Sequence, residues 1–300
     1  MGRKGITPIE LVVVIVVTTL LLAVLTPGLN RSRQLAVRLL CETNLRGIGS
    51  AIATYARGND GEFPKSGGPD AVWSNLGTLG PEWRTGKPEE DTFFGDPPKA
   101  TVSSCLYLLV KYRYAPPKQF VCKGDSGAIV FGLGKFRFSA AVNSIYDCWD
   151  FGGDSDLYPG ACCSYSYNMP FTIEEFRPER GGDIINFCID ETSSEASPVC
   201  ADRNPYLDEN VKVEPPGGNC AAHAWEGQNV LYKDLHASFE DDPRVGIGED
   251  NIYTYADNAA IAMGGSDPEG HEPTDVGRVE AGEHQKGEKD AFLVNEFQMW

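Results

Sequence analysis

Between Ile6 and Leu29 the chain reads ITPIELVVVIVVTTLLLAVLTPGL, and from Leu11 to Leu25 no residue carries a charge. A helix needs about 20 apolar residues to cross a bilayer, so this run is just long enough. The five residues before it, MGRKG, carry Arg3 and Lys4. Positive charge on that side predicts a cytoplasmic N-terminus with the rest of the chain exported. An ordinary secretory signal would end in a small-residue cleavage site, which LTPGLNRSRQ does not supply. The helical pattern instead continues, with Leu35, Leu39, Ile48, Ile52 and Tyr55 at roughly helical spacing. One helix over about residues 6–57 is predicted, apolar all round at first and amphipathic around Leu39–Ile52. Gly58-Asn59-Asp60-Gly61 stops it.

Glu10 does not fit a plain membrane anchor, because a carboxylate inside an apolar span is costly unless paired. One reading is a side chain near the interface. The other needs a positive partner, and cleavage after Gly5 would create one in the α-amine of Ile6. Gly5-Ile6-Thr7-Pro8-Ile9-Glu10-Leu11 resembles the prepilin processing motif of the type IV pilins and type II secretion pseudopilins. The resemblance implies cleavage between Gly5 and Ile6 by a prepilin peptidase and methylation of the new N-terminus. It also implies neutralisation of a neighbouring subunit's amine by Glu10. Pro27 matches the family's late proline, which kinks or loosens the helix. Ile6 and Pro8 depart from the usual Phe and Leu. Proline at the start of a helix costs little.

The fold class implied is α+β and pilin-like: a long N-terminal α-helix packed on an antiparallel β-sheet with large loop insertions. The expected divisions are a leader at 1–5, a transmembrane or filament-core half-helix at 6–29 and an amphipathic half-helix at 30–57. A globular domain at 58–262 and a polar tail at 263–300 follow. Within the domain, a helix is expected around Ala71–Leu79. Another is expected over 101–114, opened by a serine cap and closed by Pro116-Pro117. Strands are expected at Ser164–Met169, Asp183–Asp190 and Pro198–Asn204, and around a turn at Lys233-Asp234. The tail reads as low in hydrophobicity and mobile, except for a docking strand at Ala291–Val294.

The net charge of −17 argues against a nucleic-acid partner, whose phosphates need a basic footprint. Nine cysteines in an exported domain favour disulfides, with pairing open and the odd count leaving one thiol over. Zinc is the weaker reading, since there is no C-x-x-C pair and Cys162 adjoins Cys163. Asp147, Asp150, Asp154 and Asp156 lie close together without the ordered spacing of a calcium loop. Asp202-Arg203 is a candidate internal ion pair. His223, Asp234 and His236 are candidate metal ligands if the hairpin converges, although a polar cluster that fixes the turn suits them better.

The stretch from His223 through Gln228-Asn229-Val230-Leu231-Tyr232 to Asp234 and His236 also resembles a C-terminal signature of large planctomycete-type pilin-like proteins. Leu235 stands where that signature has Gly, so the turn is expected to differ. No nucleophile-elbow, H-E-x-x-H or P-loop motif occurs.

The sequence thus points to a non-enzymatic filament subunit, its partners being a prepilin peptidase, other pilin or pseudopilin subunits and the inner membrane. The same anchor would also suit a minor tip or adhesin-like binding protein. A membrane-tethered hydrolase using His223, Asp234 and His236 is the remaining alternative. The resemblance requires no cofactor and admits Ca2+, whose ligands do not map onto this chain.

Overall fold

The computed structural model describes residues 7–67, 71–73, 99–135, 142–151, 159–170, 189, 193–207, 216–254, 291 and 293–294. The first element, α1, runs without a break from Pro8 to Arg57. At 1.5 Å per residue its 50 residues span about 75 Å. Thr7 caps it and Pro8 occupies its first turn. The Glu10 side chain reaches back to the Thr7 backbone N–H at 2.8 Å and to the Thr7 hydroxyl at 2.9 Å. This reciprocal pair satisfies two donors that a helix start leaves open. The other end closes at Gly58, as the glycine-rich stop predicts.

β1 (Val72–Trp73) and β2 (Lys99–Ala100) form a short parallel pair. Val72–Trp73 is therefore extended where a helix was expected, and the rest of that expected helix lies outside the described residues. α2 follows at Val102–Lys111. Its cap is Thr101, with Ser104 reciprocating, so a threonine replaces the expected serine. The helix stops three residues short of the expected end, and Pro117–Phe120 forms a separate 3-10 turn.

The main sheet is antiparallel, with strands β3 (Tyr165–Asn168), β4 (Pro198–Asp202), β5 (Gln228–Tyr232), β6 (Ala237–Glu240) and β7 (Leu293–Val294). Their spatial order is β6-β5-β4-β3-β7. Three of the expected strand regions are present, and Asp183–Asp190 lies outside the described residues except for Ile189. The expected docking strand is β7, which pairs with β3 through Tyr167–Val294 and Asn168–Leu293. That part of the C-terminal segment thus belongs to the sheet, not to a tail, and the remainder of 263–300 lies outside the described residues.

Strand periodicity divides the sheet into two buried faces. Cys200 and Leu231 face α1 and α2, joining Leu45, Ile48, Ile52, Leu106, Leu109, Phe120 and Phe151. Their neighbours Ala201, Val230 and Tyr232 face the other way, toward Ile252, Tyr253, Ala291 and Leu293. α1 lies close on β5: a Cβ at Gly49 would come within 2.9 Å of Leu231 Cδ1.

The buried stripe of α1 begins at Cys41 and runs through Leu45, Ile48, Ile52 and Tyr55. Leu35 and Leu39, expected on that stripe, are 49% and 62% exposed. At about 100° per residue they fall on the side of the helix that carries Glu42 and Arg46, away from the stripe, while their neighbours Val37 and Arg38 turn toward the domain.

Candidate functional sites: the bare half of α1 and a buried Cys–His–Asp cluster

Two features stand out from the packed fold. The first is the N-terminal part of α1. Nearly every large apolar side chain from Ile9 to Leu40 is exposed, including Val12 to Val17, Leu20 to Leu22, Val24, Leu25 and Leu29. Pro8–Leu29 alone spans about 33 Å, close to the apolar thickness of a bilayer. Among the described residues, one helix is thus long and apolar enough to cross a membrane.

Between Pro8 and Leu29 the polar side chains are internally satisfied. The Thr18 hydroxyl donates to the Val14 carbonyl, Thr19 to Val16 and Thr26 to Leu22, at 2.6–2.9 Å. A surface with no unmet donor suits lipid or a packed bundle of like helices. The helix continues through Pro27, which offers no N–H to the carbonyl one turn before it. Glu10 serves as the N-terminal capping partner, a role that Thr7-Pro8-Ile9-Glu10 carries in its spacing. Gly5 and Ile6 lie outside the described residues.

The second feature is buried. Cys41 from α1, Cys122 after the 3-10 turn, Asp202 at the end of β4 and His223 converge within one small volume. Their Sγ, carboxylate and imidazole donor atoms all lie within 4.8 Å of one another. The two Sγ atoms are 2.6 Å apart, and His223 Nε2 lies 3.9 Å from Cys122 Sγ. His223 Nε2 also lies 2.8 Å from Asp202 Oδ2, with the two side chains 1% and 0% exposed.

The neighbouring backbone fixes this convergence. A Cβ at Gly124 would sit 2.0 Å from the Ala222 carbonyl oxygen, so the Cys122 loop and the His223 turn touch main chain to main chain. Asn229, on β5, secures Asp202. Its backbone N–H donates to Asp202 Oδ2 at 2.6 Å and its side-chain amide donates to the same oxygen at 2.9 Å. Asp202 Oδ1 is buried and has no hydrogen-bond partner. Phe239 packs edge-on against the His223 ring, and the Arg38 guanidinium lies over Phe239.

Burial pulls the His223 pKa down, but the charge and hydrogen bond of Asp202 outweigh it and leave it raised, at about 10. The Cys122 thiol is pushed well up, first by its contact with Cys41 and then by burial. These groups resemble a nucleophilic triad in composition only. One ring nitrogen, Nε2, faces both Cys122 and Asp202, whereas a relay uses the two ring nitrogens separately. All four side chains are buried.

The hairpin does not gather the expected metal ligands. Asp234 and His236 form an exposed pair at the β5–β6 turn, with the His236 ring stacked on Tyr232. Among the described residues, His223 groups instead with Cys41, Cys122 and Asp202. The turn itself survives the missing glycine: Leu235 adopts a φ of +72°.

Asp202 and Arg203 do not pair with each other. Consecutive strand residues point to opposite faces, and Arg203 Nη2 donates to Asp125 at 2.9 Å and to the carbonyls of Gly160 and Cys163. In the acidic stretch, Asp147 caps a short turn through the N–H groups of Asn143 and Ser144. Asp150 is buried and accepts from the hydroxyls of Thr101 and Ser103 and from the Phe151 N–H. Asp154 and Asp156 lie outside the described residues. The eight described cysteines are all buried, and the expected disulfides are not found among the described residues.

Missed from the sequence were Cys41, Cys122 and Asp202 as partners of His223. They lie far apart in the chain, and no spacing rule links them.

No family model matches the chain, and no curated protein or solved structure matches it.

Proposed function

We propose that the protein is a pilin-like subunit of a type IV pilus or type II secretion pseudopilus, held in the inner membrane by the first half of α1 and assembled through it. The observation that carries this reading is the contrast within α1. Its N-terminal half is apolar all round and uncovered, while its C-terminal half docks on an antiparallel sheet. A helix apolar on every side seeks lipid or other helices, not water.

The short basic leader, Gly5 and Glu10 support processing before assembly. Cleavage after Gly5 places the new Ile6 amine near the membrane boundary, and Glu10 of an adjacent copy neutralises it. The globular part, from residue 58 onward, then lies outside the helical core. The role is structural and not enzymatic, and Ca2+ is an admissible ligand of the exported part.

N-terminal sequencing and intact mass of the protein from its native membrane test the reading. A mature chain beginning at methylated Ile6, with filament incorporation lost in Glu10→Leu, is the expected result. A chain that keeps Met1, or is cut after residue 29, would falsify it.

A further inference from the structure

We propose that Cys41, Cys122, Asp202 and His223 form a closed structural site for a zinc-type divalent cation, clamping α1 to the sheet. The inference stands whether or not the chain assembles into filaments, because it concerns only the globular fold.

The donor set has the right chemistry. Two thiolates, one imidazole and one carboxylate are the ligand types a tetrahedral zinc centre takes. Each comes from a different segment: Cys41 from α1, Cys122 from a loop, Asp202 from β4 and His223 from a short turn. A cation here would tie all four together.

Two details of the surroundings point to a ligand. The first is the asymmetry of Asp202. Its Oδ2 takes both amide donors of Asn229 and faces His223, while the equally buried Oδ1 has no partner. A bare carboxylate oxygen in a dry site is costly, and a cation would satisfy it. The second is the Gly124 backbone N–H, which donates to Cys122 Sγ at 3.3 Å. Such a donor supports sulfur in its anionic, metal-binding form. Asn229 completes the outer layer by holding the carboxylate in place.

Loading balances by proton exchange. The cation displaces one proton from each thiol to solvent and takes the imidazole and the Asp202 carboxylate as its other two ligands. His223 then exchanges its hydrogen bond with Asp202 for a bond to the metal. The sulfurs, now 2.6 Å apart, would separate to about 3.8 Å, the spacing set by Zn–S bonds of about 2.3 Å in a tetrahedron.

The competing state is a Cys41–Cys122 disulfide, formed by exchange with an oxidising protein disulfide. It would close the sulfur pair and keep the His223–Asp202 contact, but leave Asp202 Oδ1 bare. The metal uses all four groups, and the structure favours it for that reason.

The full chain, purified from membranes in detergent without added chelator or reductant, provides the test. Metal content is measured by mass spectrometry, and the thiols are alkylated in denaturant before peptide mapping. About one zinc per chain, with Cys41 and Cys122 both alkylated, is expected. Replacement by Co2+ should give tetrahedral d–d bands and a thiolate-to-cobalt charge-transfer band. Asn229→Ala should weaken Co2+ binding by about 10–100-fold, while Cys163→Ser, outside the cluster, should leave the spectrum unchanged. Because the cobalt spectrum is read on the unaltered chain, the test does not depend on a variant folding. A peptide pair joined through Cys41 and Cys122 without bound metal would overturn the proposal. So would free thiols that give no cobalt charge-transfer band.

Discussion

Residues 8–40 and 41–57 belong to one uninterrupted helix, yet the more apolar half is exposed and the more polar half is buried on one side. Hydrophobicity alone therefore did not decide burial. From Cys41 onward the apolar residues form a stripe, and the opposite side carries Glu42, Arg46, Ser50 and Thr54. A stripe matches one face of a sheet. Before Leu40 the apolar residues surround the axis, and no single sheet face could cover them. The difference teaches that this helix has two environments to satisfy, and that the fold supplies only one.

Removing residues 1–30 should break the comparison most sharply. The truncated chain is expected to move wholly from the membrane fraction to a soluble monomer, read by sedimentation and gel filtration. Its thermal melt should stay within about 0.5 kcal/mol of the full chain in detergent, since surface changes away from packed features cost little. A large loss of stability would show that the bare half contributes to the domain after all.

Arg203→Met should be the most damaging single change in the globular part, at about 3–5 kcal/mol. It takes the guanidinium from the largely shielded Asp125 carboxylate, which keeps only the Ser164 hydroxyl and the Gly127 N–H, and from the carbonyls of Gly160 and Cys163. Urea unfolding measures it. A cost below about 1 kcal/mol would mean that water replaces the guanidinium.

Leu45→Ala, in the docked half, is expected to cost about 2–5 kcal/mol, because the side chain is fully buried against the core. Leu21→Ala, in the bare half, should change domain stability by less than about 0.5 kcal/mol. Equal effects would erase the distinction between the two halves.

Within the globular part, the smallest effect is expected at Leu235. A left-handed residue without glycine costs about 1–2 kcal/mol. Leu235→Val should add about 1 kcal/mol of destabilisation, because branching at Cβ worsens that conformation. Leu235→Gly should stay within about 1 kcal/mol of the parent, as relief of strain offsets the loss of contact near Gly49. Melting temperatures of the two variants would separate these outcomes.

Much of the local structure was legible because its causes are local. Period-2 alternation marked β3. The Gly58–Gly61 run stopped α1 where expected. The β5–β6 hairpin formed around Lys233-Asp234, with Leu235 forced to the left-handed region by the pairing of both strands. The expected role of Leu39 failed because a turn of about 100° per residue carries it to the side of Glu42 and Arg46, opposite the stripe that starts at Cys41. The metal set failed for a similar reason. Hairpin spacing suggested His223, Asp234 and His236, but the turn carrying His223 is pressed against the Cys122 loop and faces inward, while Asp234 and His236 remain in solvent.

By itself, the sequence determined the long capped helix, its apolar first half, the alternating strands and the acidic surface, since these follow from side-chain chemistry within a few residues. Only the tertiary structure decided that α1 docks from Cys41 onward. It also sent Asp202 and Arg203 to different partners and brought residues 41, 122, 202 and 223 together. Those outcomes depend on how α1, the loops and the sheet meet, and contacts between distant segments are set by shape and burial across the whole core.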